Sequence, residues 1–204
     1  HGRYAYFNQP AITKWNLSRF AETLLPLIDN NQEKAIEIVK DVINNFGESY
    51  KKSWLEMMKK KLGLFGGETG DEILINSLLL WMEKSKADFT NTFIALSKKE
   101  ILKDKIFRGS EFINWYQKWK SRLKKNNKSF ESSLRMMGTS NPLVIPRNHK
   151  VEEALDAASN KNNLKPMLNL LKILAKPYDE QLEIAPYQKP PPESDYKYQT
   201  FCGT

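Results

Sequence analysis

The sequence predicts an all-α, mostly helical fold. Apolar side chains recur at spacings of three and four residues along most of the 204 positions, as on the buried face of a helix. Residues that cap or end helices separate these stretches. No segment alternates apolar and polar side chains in the way a half-buried strand does. The three observations together predict helices joined by loops, with very little sheet.

The first three predicted helices follow from their start and stop signals. Pro10, behind Asn8 and Gln9, begins a helix of about five turns, since proline fits the first helical turn. Asn30 with Glu33 resembles a capping box and begins the second. The third spans about residues 48–62 and stops at Gly63.

Residues 63–70 contain four glycines but have no Lys-Ser or Lys-Thr pair at the offset of a phosphate-binding loop. This stretch is therefore expected to be a helix C-cap followed by a flexible connection. The same apolar spacing predicts further helices over residues 71–84, 88–96, 110–125, 130–137, 148–160 and 164–175. The large side chains expected to be buried are Trp15, Phe20, Trp54, Leu79, Trp115 and Trp119.

These patterns predict a helical domain over residues 10–176 and a proline- and aromatic-rich tail over residues 177–204. Four prolines after position 185 prevent helix continuation, while tyrosines and one phenylalanine supply apolar surface. A disordered tail rarely carries so many aromatic residues, so we expect the tail to pack on the helical body.

A net charge of +8 raises the hypothesis of nucleic-acid binding. The densest basic stretch, residues 108–128, also carries Phe112, Trp115, Trp119 and Leu123 at helical spacing. Aromatic residues on the buried face cannot stack on bases, so a solvated basic helix face is favoured. We expect no nucleic-acid partner, and a basic RNA-binding domain stays the least favoured alternative.

Composition excludes other classes. Hydrophobic residues make up 40% of the chain, which rules out wholesale disorder. The longest apolar run, residues 73–82, is too short to cross a bilayer, so no membrane partner is expected. One cysteine and two distant histidines form no zinc-ligand pattern. No catalytic, cofactor-binding or metal-binding residue is predicted, and His149 is as easily a cap neighbour as a base.

Three groups of residues, in order along the whole chain, resemble the selenoprotein O family, whose bacterial members are known as YdiU. They are Gly2-Arg3-Tyr4 with Gln9-Pro10 and Trp15-Asn16-Leu17, then Asn141-Pro142 with Arg147-Asn148-His149, and last Pro190-Pro191-Pro192 with Thr200-Phe201-Cys202-Gly203-Thr204.

The resemblance implies a kinase-like protein adenylyltransferase that moves AMP from ATP to Ser, Thr or Tyr hydroxyls with Mg²⁺ or Mn²⁺. It places this chain in the C-terminal portion: residues 1–9 would end the activation segment, and the rest would form the helical large lobe and C-terminal extension. ATP and metal would bind an upstream kinase-like part, so this segment alone should be inactive and bind no cofactor. Its partners would be that upstream part and protein substrates.

The resemblance also implies roles for three residues. Arg3 and Tyr4 would shape the protein-substrate site. Cys202, third from the end, would be a redox-regulatory thiol whose disulfide partner lies upstream of His1. A lone cysteine near a terminus is otherwise incidental, and the roles of Arg147, Asn148 and His149 stay open.

The location would be cytoplasmic in a bacterium and mitochondrial in a eukaryote. The alternative from another class is an autonomous helical protein-interaction module.

Overall fold

The structure, a computed structural model, describes residues 8–98, 101 and 104–192. Regular structure in these residues is helical, and no β-strand occurs among them, which confirms the predicted all-α class. None of the helices in these ranges is long and apolar enough to cross a bilayer. Internal contacts divide the chain into two units, residues 1–58 and residues 59–204.

The first unit holds α1 (Gln9–Ile28) and most of α2 (Gln32–Lys61). α1 has the predicted start, with a proline in its first turn, and runs for 20 residues. The side chain that caps α2 is Asn31, whose Oδ1 accepts the backbone N–H of Lys34 at 3.2 Å. The prediction of Asn30 as the cap was therefore wrong by one residue, because Asn31 is the residue that reaches the N–H of the first turn.

α2 is one helix of 30 residues where the sequence analysis predicted two. Gly47 lies inside it, at the predicted break. A glycine in a helix interior costs only about 1 kcal/mol relative to alanine. That cost does not end a helix of this length.

Burial follows the prediction in the second unit better than in the first. Trp115 and Trp119 are buried, and Trp54 and Leu79 are half-buried. Trp15 and Phe20 were wrongly predicted as buried, since 52% and 60% of their surfaces are exposed. Helical spacing shows that α1 has an apolar face, but spacing does not show what covers that face.

The second unit is built around an aromatic core between α3 (Asp71–Ser85) and α5 (Ser110–Leu123). The Trp81 and Phe112 rings lie 4.6 Å apart, and the Trp115 and Trp119 rings stack at 6.0 Å. Both of the latter indole N–H groups donate to backbone carbonyls, so the buried rings leave no polar atom unpaired. The helices of this unit are α3 (Asp71–Ser85), α4 (Phe89–Leu96), α5 (Ser110–Leu123), α6 (Phe130–Ser140), α7 (Asn148–Lys161), α8 (Lys165–Leu174) and α9 (Ala185–Gln188), with a 3₁₀ turn at Lys105–Arg108.

Gly63 ends α2 in a Schellman motif. Its φ of +69° is in the left-handed region. The N–H of Gly63 donates to the carbonyl of Lys60, and the N–H of Leu64 donates to the carbonyl of Lys59. The following loop was expected to be a flexible connection. It is instead fastened by side chains, since Asn126 bonds the backbone of both Gly63 and Phe65.

Gly63→Ala should lower the free energy of unfolding by about 2–4 kcal/mol. A Cβ there would meet Met137 Sδ and Ser133 Cβ, each at 3.0 Å, so close packing adds to the cost of a left-handed alanine. Gly66 is a matched control, because its φ is +70° and a Cβ would have nothing within 4 Å. Gly66→Ala should cost about 1–2 kcal/mol. Equal losses in urea unfolding would contradict the role given to the close approach.

Candidate functional site

The three site residues inferred from family resemblance, Arg3, Tyr4 and Cys202, lie outside the described residues. Their roles stay predictions. The motif residues between positions 141 and 149 are described, and they lie at the junctions between helices.

Asn141 closes the end of α2 onto the end of α6. Its side-chain amide donates to the carbonyl of Lys61 at 2.8 Å, and Lys61 Nζ donates back to Asn141 Oδ1 and to the carbonyl of Ser140, both at 3.2 Å. The same ammonium lies 5.2 Å from the centre of the Phe93 ring. Burial lowers the pKa of Lys61. Asn141 is thus a structural lock between two helix ends.

Arg147 joins the starts of α7 and α4. Its guanidinium, only 7% exposed, donates to both oxygens of Asp88, at 2.8 and 3.0 Å. Asp88 also caps α4, accepting the N–H of Asn91 at 2.8 Å. A bidentate pair of this kind fixes direction as well as distance. Arg147 Nε is buried and has no hydrogen-bond partner in the part of the chain that the structure describes.

Asp88 is held in its ionised form. Burial by itself would raise its pKa, but the Arg147 hydrogen bond, the Asn91 N–H and the Arg147 charge outweigh it and bring the pKa below the ordinary 3.8. At neutral pH the pair therefore carries both charges.

Hydrogen bonds connect the surroundings of the Asp88–Arg147 pair to the segment after Pro177. Asn91 Nδ2 donates to the carbonyl of Gln188 at 3.1 Å, and Gln188 Nε2 donates to the carbonyl of Leu143 at 2.9 Å. The Leu143 N–H in turn donates to the carbonyl of Pro177 at 2.7 Å. We call Asp88, Asn91, Leu143, Arg147 and Gln188 the tail clamp. Through it, residues 177–188 are held against α4 and the segment before α7.

His149 stands two residues after Arg147, half-buried in the first turn of α7. Burial, then the positive charges of Lys150 and Arg147, lower its pKa below 6.5, so the ring is neutral at pH 7. No hydrogen bond to an orienting side chain holds the ring within the described ranges. His149 therefore lacks the support that a general base in a catalytic triad has.

A second buried polar cluster lies between α3 and α5. Arg122 donates to both oxygens of Asp71, and also to Asn126 Oδ1 at 2.9 Å and the carbonyl of Phe65 at 3.0 Å. Burial would raise the pKa of Asp71, but hydrogen bonds from Arg122 and the Glu68 N–H, with the charges of Arg122 and Lys59, leave it lowered. We call Asp71, Arg122 and Asn126 the Arg122 cluster.

Sequence reasoning missed most of both clusters. Asp88 stood out only as the first residue of a predicted helix, and nothing in the sequence marks Asp71 or Arg122 as a pair. Each pair joins positions more than 50 residues apart. Only Arg147 was singled out, by its place in a family motif.

The described residues do not fit a divalent metal. No group of three or more His, Cys, Asp or Glu side chains among them is placed to hold an ion. The buried Asp71 and the partly exposed Asp88 are each engaged by an arginine, which leaves neither carboxylate open to a cation. The two clusters therefore have a structural role. They hold helix ends, a loop and the tail in place.

Comparison with known proteins agrees with the resemblance found in the sequence. The family model described as protein adenylyltransferase SelO matches residues 1–175. The protein nucleotidyltransferase YdiU of Alkaliphilus metalliredigens is 48% identical over 203 residues, and that of Nitrosococcus oceani is 45% identical over 203 residues. The YdiU of Pelagibacter ubique is 48% identical over 206 residues.

Each of these alignments covers all of this chain but only 41% or 42% of the relative. The chain thus spans about two fifths of the length of the proteins that it matches. The motifs, the family match and the identity along the full chain agree, and the chain belongs to the SelO family of protein adenylyltransferases.

Proposed function

We propose that this chain is the helical C-terminal part of a protein nucleotidyltransferase that transfers AMP from ATP to protein hydroxyl groups. In this proposal it supports and regulates catalysis without carrying the active site. The observation that carries the proposal is the partial coverage: the whole chain aligns with relatives named nucleotidyltransferases, yet accounts for only 41% of their length. The remaining length has room for a nucleotide-binding part.

In this proposal most of the chemistry takes place in the upstream part. The substrate hydroxyl oxygen bonds to the α-phosphorus of ATP, the bond to the pyrophosphate oxygen breaks, and the hydroxyl proton passes to a base. Mg²⁺ or Mn²⁺ would neutralise the triphosphate charge. Because the described residues offer no metal-ligand group, no step is assigned to them.

Exposed apolar residues of α1 support a packing role. Trp15, Phe20 and Leu27 are 52%, 60% and 82% exposed. Large apolar side chains on one helix are costly in water and mark surfaces that associate with other protein. In the proposed protein these side chains pack against the upstream part.

The tail clamp supports a regulatory role for the C-terminal residues. It fixes residues 177–188, so the position from which the chain continues to Thr204 is also fixed. Cys202 would then meet an upstream thiol of the activation segment, and hydrogen peroxide would oxidise the two thiols to a disulfide while being reduced to water. The location would be the cytoplasm of a bacterium or the mitochondrion of a eukaryote.

An AMP-transfer assay tests this function. With α-labelled ATP, Mg²⁺ and a protein acceptor, the protein extended to the length of its relatives should label the acceptor, and the 204-residue chain alone should not. In the extended protein Cys202→Ala should keep full activity in reductant and lose its sensitivity to peroxide. Transfer by the short chain, abolished by a substitution within it, would overturn the division of labour. An inactive extended protein would overturn the proposed activity.

A further inference from the structure

We propose that a groove between α5, the start of α6 and the end of α4 binds an acidic, amphipathic segment of a partner protein. The groove is a concave space of about 510 Å³ within the second unit. We call it the lysine-rimmed groove. The inference is independent of the proposed catalytic activity.

The floor of the groove is apolar. Leu96 closes it from the end of α4, Tyr116 and Leu123 from α5, and Phe130 and Leu134 from α6. Phe130, the first residue of α6, is 49% exposed. A polar side chain would be equally well accommodated at this position. Such a floor accepts apolar side chains, because covering it removes apolar surface from water.

The rim carries charge of a single sign. Lys98, Lys120, Lys124 and Lys128 line the groove, and all four are exposed, while no aspartate or glutamate lines it. None of the four lysines forms an ion pair with any residue that the structure describes. An unneutralised positive rim around an apolar floor is complementary to a segment with apolar anchors and flanking carboxylates.

Two other clefts among the described residues of this unit differ in the signs of the charges that line them. One is lined by Glu68, Asp71, Arg122 and Lys125, which pair with one another across it. The other carries Asp88 and Asp104 beside its lysines. Because both clefts carry carboxylates as well as cations, neither has a rim of a single sign as the lysine-rimmed groove does.

A peptide fits the groove better than RNA. Trp119, which forms part of the lining, is 1% exposed, stacks on Trp115 and uses its indole N–H on the carbonyl of Leu62. It offers no free face for a base. Leu96, Leu123 and Leu134 lie beside Tyr116 and Phe130 in the rest of the floor, and these leucines accept aliphatic side chains. Four lysines without an arginine also lack the planar fork that recognises phosphate in two-point contact.

The test is binding of a labelled peptide. The probe is a fluorescein-labelled helical peptide with leucines at i, i+3, i+4 and i+7 and glutamates on the flanking positions, measured by fluorescence anisotropy. Lys120→Glu/Lys124→Glu should weaken binding by about tenfold or more, since two attractions become repulsions. Lys118→Glu/Lys172→Glu is the control, with the same charge change at exposed lysines outside the groove. Equal thermal unfolding of the two variants establishes that both are folded.

Peptide variants test the contributions of the apolar floor and of the lysine rim separately. Replacing the glutamates by glutamine, or the leucines by serine, should each weaken binding. Added salt should weaken binding of the original peptide but not binding of its glutamine variant. No binding, or equal binding by both protein variants, would overturn the proposal. A poly-uridine RNA that binds in place of the peptide, and is lost on Lys120→Glu/Lys124→Glu, would assign the groove to nucleic acid instead. Binding that appears only after removal of residues 193–204 would make the tail the occupant and would also overturn it.

Discussion

Arg122→Met should lower the free energy of unfolding by about 3–5 kcal/mol, the cost of removing one partner from a buried ion pair. Asp71 is 2% exposed and would be left as a buried carboxylate without its cation. Asn126 Oδ1 and the carbonyl of Phe65 would lose donors as well. Methionine keeps much of the arginine stem, so the loss reports the polar contacts more than a cavity. Urea unfolding followed by tryptophan fluorescence measures it.

Two further variants make this result specific. Lys125→Met removes the exposed ion pair with Glu68, whose side chains are 63% and 42% exposed, and should cost about 1 kcal/mol or less. Asp71→Leu/Arg122→Met removes both buried charges and should recover much of the loss, because the unpaired carboxylate is then gone. An Arg122→Met protein within about 1 kcal/mol of the wild type would contradict a buried, essential pair.

The helices could be predicted from sequence because their signals are local. Phe112, Trp115 and Trp119 repeat at helical spacing, and the structure buries all three as the inner face of α5. The long α2 shows the limit of such signals. A single glycine at position 47 resembles a boundary, yet its small propensity cost does not end a helix.

Long-range pairing could not be predicted in the same way. Arg122 and Asp71 lie 51 positions apart, and Arg147 and Asp88 lie 59 apart. An arginine in a sequence gives no sign of whether it faces water or a carboxylate on another helix, since both environments accept the same residue. The same reason explains the exposure of Trp15 and Phe20 on α1. Periodicity identified the apolar face, but the surface that covers an apolar face belongs to other residues.

Arg147→Met should lower the free energy of unfolding by about 2–4 kcal/mol at pH 7. The estimate lies below that for Arg122 because Asp88 keeps 25% of its side-chain surface exposed, and water partly compensates the unpaired carboxylate. Thermal and urea unfolding measure the loss. Lys150→Met is a matched control on the same helix turn, since it removes a pair whose other partner, Glu153, is 59% exposed, and should cost about 1 kcal/mol or less.

The pH dependence of that loss identifies its cause. The pKa of Asp88 in the folded protein lies below the ordinary 3.8, so the unfolded chain binds the proton more readily. The stability contributed by the pair is therefore present above about pH 4 and disappears as the pH falls through the folded pKa. The gap between wild type and Arg147→Met should be widest at neutral pH and should narrow as the pH falls below about 4 and through the lowered pKa, where Asp88 becomes protonated in both proteins. A gap that stays constant over this range would assign Arg147 to packing alone and would remove the ion pair from the tail clamp.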